Sequence, residues 1–238
     1  YEQAEPLYQQ ALQINEARFG PDHINVASIV HNLALLYRAQ EKYSQAETLY
    51  QRALALYEKA YGPESPNLAT VLNSLGALYA YQNDYSKAEP LLLRALTIRE
   101  KVLGTEHTDV GRTLNNLGGL YIHQRKYEQA RQTFQRSLQI YTQSFGAEHL
   151  ETAMVLTNLG YLYTKQHQYA QAENALEKAF NIYEKTIGLQ SPDAFLIFQE
   201  LVMVYAHQKK AVQAQKICQR ILPALLERFG SHHKDVQI

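Results

Sequence analysis

Tyr43-Ser44-Gln45-Ala46-Glu47-Thr48-Leu49-Tyr50-Gln51-Arg52-Ala53-Leu54 returns 42 residues later as Tyr85-Ser86-Lys87-Ala88-Glu89-Pro90-Leu91-Leu92-Leu93-Arg94-Ala95-Leu96. The same step links Ala4, Ala46, Ala88, Ala130, Ala172 and Ala214, and it links Leu33, Leu75, Leu117, Leu159 and Leu201. Glycine recurs at Gly20, Gly62, Gly104, Gly146, Gly188 and Gly230. Ten of the 18 tyrosines occupy two columns, Tyr1/43/85/127/169 and Tyr37/79/121/163/205. A period of this length marks an array of structural repeats, in which each unit buries its apolar face against the next.

Inside one unit the apolar residues run Val26, Val30, Leu33, Ala34, Tyr37 and then Tyr43, Ala46, Tyr50, Ala53, Leu54, Tyr57. Steps of three and four define amphipathic helices. Each unit is therefore a helical hairpin, with helix A over roughly 25–40 and helix B over roughly 43–60. Glycine after each B helix supplies a left-handed C′ residue, and Ser65-Pro66 and Ser191-Pro192 read as N-cap followed by N1 proline. The array occupies 1–238 as a half unit, 1–20, full units at about 21–62, 63–104, 105–146, 147–188 and 189–230, and a stub, 231–238.

Composition narrows the function. Lys plus Arg equals Asp plus Glu at 23 each, so net charge is no reason to expect nucleic acid or an anionic membrane. The single cysteine, Cys218, forms no internal disulfide, which suits a reducing, cytoplasmic setting, and it reads as a small core residue. No apolar run approaches the ~20 residues that span a bilayer. His23, His107, His149 and His233 recur because the linker recurs, one per hairpin and without clustered thiols or carboxylates, so no metal site is expected. No phosphate loop, serine-nucleophile motif or evident carboxylate pair is present, so the expectation is a non-enzyme without cofactors.

The run Tyr43-x-x-Ala46-Glu47-x-Leu49-Tyr50-x-x-Ala53-Leu54, the segment Asn116-Leu117-Gly118-x-Leu120-Tyr121 and linkers such as Gly20-Pro21-Asp22-His23 resemble the tetratricopeptide repeats of kinesin light chains and their bacterial relatives. The 42-residue period matches that type rather than the ordinary 34-residue unit. The last unit departs from the pattern, with Ala211 for tyrosine and Glu200 for asparagine. The resemblance implies an all-α, right-handed superhelical solenoid of antiparallel helix pairs, with the A helices lining a concave wall. It places toward that wall Ser28, His31, Asn32, Leu35 and Arg38 of the first unit, and Thr70, Asn73, Ser74, Ala77 and Tyr81 of the second. Arg112, Asn115, Asn116, Gly119 and His123 follow in the third unit, and Thr157, Asn158, Tyr161 and Lys165 in the fourth.

The resemblance also implies that the asparagines hold the main chain of an extended peptide, each offering a donor and an acceptor. Bonding between neighbouring helices is the other use open to them. The spans 26–40, 68–83, 110–126 and 152–168 contain no Asp or Glu but carry Arg38, Arg112, Arg125, Lys126 and Lys165, while acids such as Glu47, Glu89, Glu128 and Glu173 sit on B helices. That segregation favours an acidic protein or peptide ligand, or else it is an ordinary solvated face. Three functions fit: a peptide-binding adaptor, a scaffold for self-association or domain packing, and the recruiting arm of a larger protein.

Overall fold

The computed structural model describes residues 3–229, with side chains through Glu227. Tyr1, Gly230, His233 and the 231–238 stub lie outside the described residues. The helices in order are α1 (Ala4–Phe19), α2 (Ile24–Ala39), α3 (Tyr43–Tyr61), α4 (Pro66–Tyr81), α5 (Tyr85–Leu103) and α6 (Thr108–His123). They continue as α7 (Tyr127–Phe145), α8 (Leu150–Lys165), α9 (Tyr169–Thr186), α10 (Pro192–His207) and α11 (Ala211–Phe229). Among the described residues every regular element is a helix. Even-numbered helices are the A helices and odd-numbered ones the B helices.

The chain divides into two units, one through Leu120 and one from Tyr121. In the first, consecutive helices from α1 through α5 pack on one another and α2 also meets α4. In the second, consecutive helices from α7 through α11 pack on one another and α8 meets α10. Ala46, Ala88, Ala130 and Ala172 are fully buried, where the small side chain lets helices approach. Helices also approach closely at Gly160, where an added Cβ would stand 2.4 Å from Leu176 Cγ.

The caps correct the sequence reading. Glycine does end the B helices with positive φ, but Gly62 has φ 79° and ψ 177° and Gly146 has φ 94° and ψ 165°. That region lies outside the left-handed helical well and is essentially restricted to glycine. The left-handed residues proper sit after the A helices and none is glycine: Glu41, Asn83, Arg125, His167 and Lys209, with φ between 58° and 63°. Each closes a Schellman motif; in the first, Lys42 N–H donates to Tyr37 O and Glu41 N–H to Arg38 O. Ser191 caps α10 by accepting from Ala194 N–H, whereas Ser65 occupies the N-cap of α4 without a side-chain hydrogen bond.

The linker histidines have a structural purpose. Nδ1 of His23, His107 and His149 accepts from the backbone N–H of Asn25, Asp109 and Glu151, which satisfies an orphan donor at the start of each A helix. His23 and His149 also stack on Phe19 and Phe145.

Acids on the B helices bind the following hairpin. Glu5 accepts from Gln40 and Lys42, Glu47 from the Tyr79 hydroxyl, and Glu173 from Gln208 and Lys210. Their placement away from the A helices thus serves the stacking of repeats, and the Tyr79 hydroxyl gains a partner by it.

Candidate functional site

The A-helix surface of the first unit is built from α2, α4 and the first part of α6. Ser28, Asn32 and Arg38 are exposed there, and His31 and Leu35 are half-buried. On α4, Thr70, Ser74 and Ala77 are half-buried, Asn73 is buried and Tyr81 is 67% exposed. On α6, Arg112 is exposed, Asn115 buried, and Asn116 and Gly119 half-buried.

Hydrogen bonds join these side chains across helices. His31 Nε2 lies 3.2 Å from Ser74 Oγ, and Asn116 Nδ2 donates to Asn73 Oδ1 at 3.0 Å. The Ser74 hydroxyl donates to Thr70 O, so it accepts from His31, which fixes the proton on Nε2. Burial and the nearby Arg112 and Arg38 cations push the His31 imidazole down to about 4. The polar groups form a ladder between A helices in which Asn73 is buried and accepts from Asn116, and Asn116 retains a second amide hydrogen.

Beside the ladder, Arg38, Ala39, Glu41, Tyr43, Ala77 and Tyr81 line a cavity of about 360 Å³. The Tyr43 and Tyr81 rings meet at 5.5 Å, and the Tyr81 hydroxyl, with desolvation, pushes the Tyr43 phenol up to about 12. The Arg38 guanidinium makes no ion pair or hydrogen bond among the described residues. The other expected cations differ. Arg112 is bound by Asp109 at 2.5 Å, Lys126 lies over the Tyr121 ring, and Lys165 over Tyr161. Acids also reach this surface, since Asp109 pairs with Arg112 and Glu41 lines the Arg38 cavity. The positive wall expected from the acid-free spans is thereby reduced.

In the second unit, His123 and Lys165 are exposed and Thr157, Asn158 and Tyr161 half-buried. The Thr157 hydroxyl turns back to Ala153 O. Glu200, which takes the asparagine column in α10, has Oε2 buried without a hydrogen-bond partner. Burial raises its carboxyl above the usual range, against the pull of Lys165. Cys218 is half-buried against the α9–α11 core, and burial raises its thiol. No group of three or more His, Cys, Asp or Glu is placed to hold a metal among the described residues. Nor is any described helix long and apolar enough to cross a membrane.

One residue was missed by sequence reasoning. Arg99 is fully buried and donates to Asp109 O, Thr113 Oγ1 and Thr70 Oγ1, tying α4, α5 and α6 together. The signal was available, because Tyr57, Tyr141 and Tyr183 fill the same column.

A family model of the tetratricopeptide repeat matches residues 1–59, 27–101 and 109–185. The chain belongs to the tetratricopeptide repeat family. Such repeats generally mediate protein–protein interaction. A search of curated proteins found no match. Among solved structures, BtubC (BKLC) from P. vanneervenii is 22% identical with TM-score 0.79, over 97% of this chain and 92% of that one. A Podosopora anserina protein described as a kinesin light chain with nearly identical TPR-like repeats is 21% identical with TM-score 0.68, over 83% and 93%. PilF of Pseudomonas aeruginosa is 20% identical with TM-score 0.61, over 84% and 80%. At these identities the likeness concerns the fold, an all-α array of helix pairs.

Proposed function

We propose that this tetratricopeptide array is a non-catalytic interaction module whose first unit holds an extended segment of a partner protein along α2, α4 and α6. The observation that carries the reading is the Arg38, Ala77 and Tyr81 cavity at the end of the His31, Ser74, Asn73 and Asn116 ladder. The ladder presents Asn32 and Asn116 to a peptide main chain. The cavity takes an apolar anchor between Ala77 and the exposed Tyr81 ring, and Arg38 pairs with an acidic residue of the segment. Thr157, Asn158, Tyr161, Lys165 and His123 offer the corresponding surface in the second unit.

A peptide-display selection on the wild type, Arg38→Glu and Tyr81→Ala tests this. Both side chains are exposed, so circular dichroism should stay the same. Acidic peptides with a large apolar residue should be enriched, weaken as salt rises and fail on both variants. Enrichment indifferent to both substitutions would retire this surface and leave the scaffold reading.

A further inference from the structure

The B helices carry a second ladder, and it has one missing rung. A basic residue recurs at Arg52, Arg94, Arg136, Lys178 and Arg220, and a residue 36 positions earlier recurs as Glu16, Glu58, Glu100, Thr142 and Glu184. Where the pair is described it is an ion pair between successive B helices: Arg52 with Glu16 at 2.6 Å, Arg94 with Glu58 at 2.6 Å, and Arg220 with Glu184. Thr142 breaks the series. The ammonium of its counterpart Lys178 makes no ion pair or hydrogen bond among the described residues.

At this break the surface opens. Thr142 and Lys178 both line a cavity of about 470 Å³ between α7 and α9, with Leu138, Leu156 and Ile182 as its apolar walls. A second cavity of about 240 Å³ shares Leu138, Leu156 and Lys178 and adds Leu159, Tyr163 and Ala175. Together they form a trough along α9 from Gln171 to Lys185, about 21 Å at 1.5 Å per residue. The other charges on its rim are committed, Lys185 to Glu148 at 2.9 Å and Glu184 to Arg220. The trough has apolar walls and a single uncommitted ammonium at its waist.

We propose that this trough docks an amphipathic helix of a partner protein, whose glutamate or aspartate supplies the carboxylate that Thr142 lacks and whose flanking apolar side chains enter the two cavities. A helix suits the site because the pair it replaces is made helix to helix in three other repeats, and because the trough has the length of about 14 helical residues. The site is separate from the α2/α4/α6 surface and does not depend on it.

The probe is a set of helical peptides of about 15 residues with a Leu-x-x-Glu-x-x-Leu core, matched against the same set with Gln for Glu, with dodecanoate as a non-peptide arm. Binding is followed by fluorescence polarisation and by methyl NMR shifts at Leu138 and Leu156. Members of the Glu set should bind the wild type and the Gln set bind more weakly. Thr142→Glu, which restores the internal pair and fills the gap, should weaken binding by about ten-fold or more while leaving the melting temperature unchanged or higher. Lys178→Glu should reject the Glu set and accept peptides with Lys at that place. Arg38→Glu should leave this binding unchanged. Equal binding to Thr142→Glu and wild type, equal binding of Glu and Gln sets, shifts from dodecanoate alone, loss in Arg38→Glu, or no peptide bound at millimolar concentration would each overturn the proposal.

Discussion

The polar rungs of the A helices are closed in the first unit and open in the second. Between α2 and α4, and between α4 and α6, each rung has a donor and an acceptor: His31 with Ser74, Asn116 with Asn73. Between α8 and α10 the same columns hold Thr157, which bonds its own helix, and Glu200, which keeps a buried oxygen without a partner. The interiors differ as well, with a guanidinium at Arg99 where the second unit has the rings of Tyr141 and Tyr183. A repeat thus prescribes backbone and apolar packing tightly but leaves its polar columns free to differ, because each is judged only by the partner that the next unit offers.

The largest effect should come from breaking the first unit's interior. Arg99→Ala removes a charged donor to three oxygens and leaves buried space, for an expected loss of about 3–5 kcal/mol in chemical unfolding. Arg99→Tyr, which imports the residue found at Tyr141 and Tyr183, should cost clearly less. A loss under about 1 kcal/mol for Arg99→Ala would mean that the guanidinium is incidental to the packing.

Next comes a close helix approach in the second unit. Gly160→Ala sets a methyl against Leu176 and should cost about 1–3 kcal/mol by thermal melting. Gly76→Ala meets Leu92 Cγ at 2.8 Å and should cost less. The reverse order would contradict the geometry.

His31 in the first unit and Glu200 in the second should answer pH with opposite signs. His31 has a folded-state value near 4 against an ordinary 6.5, so the unfolded chain binds the extra proton and stability falls as pH drops through that window. Allowing for its partial exposure, the contribution is roughly 1–2 kcal/mol, and His31→Gln should remove that part of the slope. Glu200 is raised, so there the folded state holds the proton and stability falls as pH climbs above the ordinary carboxyl value. Glu200→Gln should therefore stabilise at neutral pH. Parallel slopes for the two variants would erase the contrast between the units.

Helix bounds were legible to within a residue or two, since the period of 42 aligned the apolar positions and the linkers between helices. The face borne by the asparagines was less so. Periodicity says that Asn73 and Asn116 share a side of their helices, but how near α4 and α6 come determines that one is buried and bonded to the other. Arg99 and Thr142 were readable as breaks in their columns, and it took the packing to give those breaks a meaning. The histidine caps escaped because Nδ1 can cap a helix only when the backbone turns the ring toward N2, which no residue spacing reveals.

The smallest effect concerns the left-handed turns after the A helices, and here the residues rank themselves. A side chain with a Cβ is strained at φ near 60°, and asparagine is strained least. Arg125→Gly and Lys209→Gly should each relieve that strain and stabilise by up to about 1 kcal/mol, less what glycine adds to the disorder of the unfolded chain. Asn83→Gly should gain nothing and lose the hydrogen bond that the Tyr85 hydroxyl donates to Asn83 Oδ1 at 2.6 Å. Melting temperatures of the three variants measured side by side decide it. If Asn83→Gly stabilises as much as Arg125→Gly, backbone strain does not distinguish these turns, and the arginine and lysine owe nothing to it.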